Sequence, residues 1–269
     1  MVDKSEKFSW LVRLGYAARG VTYMLLGYLA LSTGSGGQAS EGSTGVFDML
    51  EGVPFGEPLL YVIALGMLAY AIYKFLSGIA NIYNRDDDTK GVLKRVGDVA
   101  SGVAHSFLAY AAFQYAAAGQ RSGGGGGTQE RASTVLSYDL GGIVLGLIGL
   151  GFLVGGIMQA KKAWDLGFMK RISGRAPGWV CHIGRAGHAA RAVVFALIGW
   201  SLVQAAWFSS SDQVKGLGDA IVSLSDDGIL YSLVAIGLFF FGLFSLVTSR
   251  YRVIPHLTSG DMKPDVPGQ

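Results

Sequence analysis

Apolar residues fall into six long blocks, at about 11–33, 58–83, 96–118, 140–160, 181–208 and 229–249, separated by polar stretches. Each block is about 20 residues or more, enough at ~1.5 Å per helical residue to cross a hydrocarbon core of ~30 Å. The second, fourth and sixth show no polar face at helical spacing, so the pattern predicts six membrane-crossing helices rather than buried helices of a soluble protein. All six prolines (Pro54, Pro58, Pro177, Pro255, Pro264, Pro267) avoid the block interiors. Composition agrees: 51% apolar, 15% charged and a mean hydropathy of +0.40 lie far from soluble averages.

The blocks come in pairs. RLGYAARGVTYMLLGY (Arg13–Tyr28) returns as RVGDVASGVAHSFLAY (Arg95–Tyr110) and RAGHAARAVVFALIGW (Arg185–Trp200). Arg13, Arg95 and Arg185 superpose, as do Gly15, Gly97 and Gly187, and Ala18, Ala100 and Ala190. A second apolar segment follows each copy, with Gly66, Gly151 and Gly237 in register. The chain is one two-helix unit used three times: 1–84, 85–168 and 169–254, with a polar tail at 255–269 expected to be disordered. The predicted fold class is an all-α membrane protein of six transmembrane helices in a pseudo-threefold arrangement. The glycines of the repeated motif suggest that the three first helices pack tightly around the axis. Gly142/Gly146 and Gly151/Gly155 offer close approach within the chain or a dimer seam.

Charge sets the expected orientation. All Lys and Arg but Arg121, Arg131 and Lys215 fall on one side of the six spans, which predicts cytoplasmic termini and a bacterial inner-membrane location. The net charge of +3 is then a topology feature, and no nucleic-acid partner is implied. Lys170, Arg171 and Arg175 suit anionic lipid headgroups at the inner leaflet. The first block is too long for a signal peptide, and no cleavage is expected. Cys181 is the single cysteine, so no intramolecular disulfide is possible.

The stretches between spans give little chemistry. Ser32–Gly45 reads as a flexible loop on the outer side. VFDMLEGVPFG and LGDAIVSLSDDG, with Asp48 and Asp219 in register, predict short helices on the outer face, and STVLSYDLGG is a weaker counterpart. Gly123–Gly127 lacks the Gly-Lys-Ser/Thr of a phosphate loop and reads as a linker. Asp86, Asp87 and Asp88 lack calcium-loop spacing and read as a solvated turn.

Candidate chemistry rests on ionisable residues inside the blocks, which are costly in lipid. Arg19 and Arg191 share one repeat position, where the second unit has Ser101. That unit alone carries an acid, Asp98, where the others have Tyr16 and His188. Asp98 either faces Arg19 or Arg191 across the axis, forming a polar vestibule, or pairs locally with Lys94 or Arg95 while the arginines snorkel. Arg13, Arg95, Arg185 and His188 are further candidates for that vestibule. His105 and His188 differ in depth by about two helical turns, which does not suit bis-histidine haem, and His105 is expected to hydrogen-bond to a neighbouring helix. Ser32, Gln114 and Gln204 share one position at the outer end and read as an interhelical clamp or a pore mouth. No nucleophile, metal or paired-carboxylate constellation is present, so neither an enzyme nor a cofactor is expected.

The triplicated R-x-G-x-x-A-[RS]-[GA]-V motif and the closing SLVTSRYRVI (Ser245–Ile254) resemble the bacterial membrane family catalogued as domain of unknown function 1206. The resemblance spans essentially the whole chain and implies three tandem two-helix units, with no activity attached. Asp98 and Ser101 depart from its pattern. The leading expectation is a non-enzymatic accessory or scaffold component with a protein partner in the membrane. Alternatives are a small-solute transporter or channel around Arg19, Asp98 and Arg191, and a binder of lipid, quinone or pigment between repeats. The Pro-x-acid-x-x-base signature of mitochondrial carriers, which also use three two-helix repeats, is absent.

Overall fold

The structure is a computed structural model and describes residues 4–33, 46, 47, 50, 54–118 and 126–254. The Ser32–Gly45 loop beyond Thr33, Asp48, Gly123–Gly125 and the 255–269 tail lie outside the described residues. Eight α-helices are described: α1 Lys4–Thr33, α2 Gly56–Gly78, α3 Thr89–Ala118, α4 Gly126–Leu136, α5 Gly141–Asp165, α6 Val180–Phe208, α7 Leu217–Val222 and α8 Gly228–Tyr251. The described elements are all helical. Four of them, α2, α5, α6 and α8, are long and apolar enough to cross a membrane. The other two long helices, α1 and α3, carry Arg13, Arg19, Arg95 and Asp98, which lower their hydropathy.

Local chemistry marks the helix ends. Asp88 Oδ1 accepts from Gly91 N at 2.7 Å and opens α3, and Asp227 Oδ1 accepts from Leu230 N at 3.1 Å and opens α8. Leu166 (φ 53°) stops α5 and Ser209 (φ 51°) stops α6 in the left-handed conformation that ends many helices. The aspartate run thus works as a cap and turn. The glycine run is not wholly a linker, because Gly126 and Gly127 open α4.

The packing follows one rule. The second helix of each unit lies along the first helix of the next: α2 on α3, α5 on α6, and α8 back on α1. Within units, α1 packs on α2 and α6 on α8. Among the described residues, the three first helices form no packed interface with one another, contrary to the expectation of a central trio. Gly15 and Gly187 instead meet second helices. A Cβ on Gly15 would come within 2.8 Å of the Tyr70 backbone, and one on Gly187 within 2.6 Å of Phe241.

A large apolar core fills the half of the bundle away from the termini. Leu26, Leu29, Leu60, Ile63, Leu238 and Ile221 of α7 are fully buried there, with Phe47 and Tyr115 edge to face at 6.0 Å. Of the expected polar clamp at that end, Ser32 and Gln114 bond within their own helices, to Leu29 O and Tyr110 Oη.

The basic end is tied together by the connections. Arg171, in the 3-10 turn Gly167–Arg171, stacks on Tyr83 of the α2–α3 connection at 3.9 Å. Ile172 forms a bridge with Arg252, and Val253 N donates to Arg171 O at 3.0 Å. Arg252 Nη2 donates to Tyr73 Oη and Tyr83 Oη at 2.7 and 3.2 Å. Arg171 is therefore occupied inside the protein, while Lys170 and Arg175 remain exposed.

Candidate functional site

The repeated arginines that open the motif have a structural job. Arg95 Nε donates to Gly78 O at 2.9 Å, Arg185 Nε to Ala163 O at 3.0 Å, and Arg13 Nη1 to Arg250 O at 2.8 Å. Each cation thus meets the last carbonyls of the preceding second helix, where unpaired acceptors and the helix dipole both favour it. These three do not join the polar interior expected of them.

One step deeper, polar side chains face each other across the same three joints with different chemistry: the second-helix position is the same in all three, while the first helix brings Asp98 or His188 at one repeat position and Arg19 from the position three residues on. Asp98 of α3 meets Lys74 and Ser77 of α2, with Lys74 Nζ at 2.5 Å from Oδ1 and Ser77 Oγ donating to Oδ2 at 2.6 Å. Arg85 Nη2 adds a bond to Oδ2 at 2.6 Å. His188 of α6 meets Gln159 of α5, Nδ1 to Oε1 at 2.7 Å. At the third joint Arg19 of α1 donates through Nε and Nη2 to Ser245 Oγ of α8, at 3.2 and 3.0 Å, and through Nη1 to Tyr70 Oη. Asp98 therefore pairs with neither Arg19 nor Arg191, and not with Lys94 or Arg95. Its partners come from the preceding unit and its connection, because α3 lies along α2.

The result is an interior rich in cations. Arg19 and Arg191 flank the ring of Phe241, with guanidinium carbons 4.9 and 4.5 Å from its centroid. That separation, below ~10 Å, implies a like-charge repulsion on the order of 1.5–2 kcal/mol at an effective dielectric of ~20. Aromatic faces offset part of it: Arg19 also lies over Tyr16 and Tyr70, and Arg191 over Tyr23 and Phe195. Lys162 of α5 lies within charge–charge range of Lys74, Asp98, Arg19 and Arg191. Six cations (Arg19, Lys74, Arg85, Lys162, Arg191, Arg252) thus share the region with one carboxylate, Asp98, among the described residues.

Unmet hydrogen-bonding groups gather at the same place. The buried side-chain atoms without a partner among the described residues are Arg85 Nε and Nη1, Arg191 Nε, Arg252 Nε, and the Nε2 atoms of His105 and His188. Four guanidinium nitrogens therefore lack acceptors, one on Arg191 and three on Arg85 and Arg252 toward the basic end, which a buried site does not leave unfilled without cost. His105 bonds through Nδ1 to Ser101 O of its own helix at 2.7 Å and stacks on Tyr70 at 4.5 Å, so the expected bond to a neighbouring helix is replaced by a ring contact. No group of three or more His, Cys, Asp or Glu able to hold a metal occurs among the described residues.

The second unit is built differently. In units one and three, Gly66 meets the Ala18 Cβ and Gly237 the Ala190 Cβ, closing first helix on second. In unit two a Cβ on Gly97 or Gly151 would touch nothing within 4 Å, and α3 and α5 share no packed interface among the described residues. Of the six glycines in register, Gly15, Gly66, Gly187 and Gly237 lie against neighbouring helices, whereas Gly97 and Gly151 have open space before them. The cause lies one turn along the second helix. Where unit one has Tyr70 and unit three Phe241, unit two has Gly155. No aromatic is left to fill the space between α3 and α5.

Sequence reasoning found Arg19, Arg191, Asp98 and His188, but not Lys74, Arg85, Lys162 or Arg252. Arg85, Lys162 and Arg252 lie just beyond the ends of apolar blocks and Lys74 lies inside the second, and each enters the sequence reading only through the orientation count. The position that could have exposed them is the one occupied by Lys74, Gln159 and Ser245, polar in all three units on helices otherwise apolar.

Comparison with known proteins finds three tandem copies of one family's domain. Residues 14–81, 96–165 and 186–252 each match the family described as Domain of Unknown Function (DUF1206). An uncharacterized protein of Bacillus subtilis (strain 168), YxxB, is 31% identical over 268 residues, covering 95% of each chain. No solved structure matches. Three consecutive matches across the chain, in register with the repeated arginine caps, place it in this family: the protein belongs to the domain of unknown function 1206 family.

Proposed function

We propose that the protein is an integral membrane protein that binds an anion among its helices at Arg19, Arg191 and Lys162. In this reading all six long helices span a bacterial cytoplasmic membrane, with the basic end and both termini in the cytoplasm. The three units then surround a pseudo-threefold axis along the membrane normal. α1 and α3 tolerate their charges because these point to other helices rather than to lipid. The observation that carries the reading is the excess of fully or partly buried cations over a single carboxylate, together with the unmet Nε donor of Arg191. An anion would supply the missing charge and acceptors together, and arginine forks suit carboxylate or phosphate oxygens. The cation-rich interior suits holding an anion, so binding or carriage is the proposed activity.

The test is an equilibrium titration of the purified protein with inorganic phosphate and with acetate, read by intrinsic fluorescence. Saturable binding that Arg191→Gln weakens at least tenfold supports the site. No saturable response to either anion would remove it.

A second reading, the accessory component, is favoured by one observation, the bare Gly97 and Gly151 faces. Such faces can seat a helix of another protein. Recovery of a stoichiometric membrane partner, lost on Gly97→Leu, would favour it.

A further inference from the structure

Resting on the anion-site reading, we infer that the opening between α3 and α5 is a side entrance from the membrane, and that the ligand is an amphiphile with a phosphate headgroup. The headgroup would sit on Arg191, Arg19 and Lys162. Its acyl chain would lie between α3 and α5.

Equivalent positions make the case. On the first helices Gly15, Ala18 and Thr22 are buried, and so are Gly187, Ala190 and Val194, whereas Gly97, Ala100 and Ala104 are exposed. On the second helices Ile63 is 1% and Val234 2% exposed, but Ile148 is 45% exposed. A face that is an interface in two units is therefore bare in the third, over two turns on α3 and one on α5. The residues along it are small near the cations and become larger and apolar toward Ile148, matching a headgroup followed by a chain.

Other routes to the cations are narrower. The basic end is latched by Arg171 on Tyr83 and by Arg252 on Tyr73 and Tyr83. The opposite half is filled by the apolar core around Leu26, Leu60 and Leu238. A small anion can reach the cations where Lys74, Asp98 and Arg85 keep 18, 12 and 10% of their side-chain surface exposed, whereas an amphiphile already in the bilayer enters without leaving it. A partner helix in the same gap would cover the glycines but leave Arg191 Nε without an acceptor. The lone Nε2 atoms of His105 and His188, both more than nine-tenths buried, add a further selection. With Nδ1 donating to a carbonyl or amide oxygen, each Nε2 accepts, so a headgroup offering a hydroxyl beside its phosphate fits better than one without.

The experiment uses the full chain in nanodiscs containing phosphatidylglycerol or phosphatidylcholine, followed by native mass spectrometry of the released protein, with inorganic phosphate titrated in parallel. The wild type should retain one phosphatidylglycerol and at least tenfold less phosphatidylcholine. Gly97→Leu and Gly151→Leu, each placing a side chain into open space on a different helix, should lose the lipid tenfold or more while binding inorganic phosphate as the wild type does. Unchanged lipid retention in both variants overturns the side entrance while leaving the anion site. Phosphate binding without lipid retention by the wild type overturns the amphiphile and points to a free anion. A co-purifying protein in place of lipid overturns both claims made here, and absence of phosphate binding removes the anion reading itself.

Discussion

Units one and three of this protein are closed and unit two is open, although all three carry the same arginine, glycine and alanine positions. The first pair fill the crossing of their two helices with Tyr70 on Gly15 and Phe241 on Gly187, so closely that a Cβ at either glycine would come within 2.8 Å of neighbouring backbone. Unit two has the glycines but not the aromatic, since Gly155 takes its place. A small-residue motif permits close approach, and whether approach occurs depends on what the other helix brings. The units also differ in charge. Unit two supplies the acid of the interior, Asp98, while units one and three supply the arginines at the Ser101 position. The asymmetry of the molecule thus concentrates in one repeat, next to its unmet donors.

The comparison can be broken most severely at Asp98. Asp98→Asn strips the single carboxylate from Lys74 and Arg85 and leaves two cations facing each other in a largely buried site, so a loss of about 3–5 kcal/mol is expected. Chemical denaturation in detergent would read it as a large drop in the unfolding midpoint. The equivalent change in unit three, His188→Asn, removes a neutral joint to Gln159 and should cost about 1–3 kcal/mol.

The glycines give the next largest effect and the sharpest contrast. Gly15→Leu and Gly187→Leu force a side chain against Tyr70 and Phe241 and should each destabilise by about 1–3 kcal/mol or more. Gly97→Ala, at the same repeat position, should be neutral or stabilise by up to about 1 kcal/mol through helix propensity alone. Thermal unfolding of the set in one detergent separates them. If Gly97→Ala lost as much as Gly15→Ala, the units would be equally closed.

The arginine caps should matter least and equally. Arg13→Gln, Arg95→Gln and Arg185→Gln each remove a charge-assisted bond to carbonyls at a helix end, worth about 1 kcal/mol. Equal losses would confirm that the three joints are equivalent whatever the units do internally. A much larger loss at one would mean that its arginine serves the interior as well.

Much of this was legible in the sequence. The spacing of Arg13, Arg95 and Arg185 with their glycines gives the three units, and the shared position of Arg19 and Arg191 against Ser101 marks the odd repeat. What the sequence did not reveal is partner choice. Helical periodicity says which residues share a face but not which helix covers it, so the glycines suggested a trio of first helices when Gly15 and Gly187 in fact receive second helices. For the same reason Asp98 was matched with Arg19, Arg191, Lys94 or Arg95, near it in repeat position or in sequence, rather than with Lys74 and Arg85. The replacement of Tyr70 and Phe241 by Gly155 was visible in the aligned repeats. It carried no meaning until Gly15 and Gly187 were known to press on that position.

The most direct test compares Ala18, Ala100 and Ala190, one repeat position in three units. Each is changed to cysteine in a Cys181→Ser background and exposed, in native membranes, to an apolar maleimide that partitions into lipid. Ala100→Cys should label rapidly and Ala18→Cys and Ala190→Cys should stay protected, because Ala18 and Ala190 lie beneath Gly66 and Gly237 while Ala100 faces the opening. Equal protection of all three would mean that unit two is closed like its neighbours, and would contradict the account.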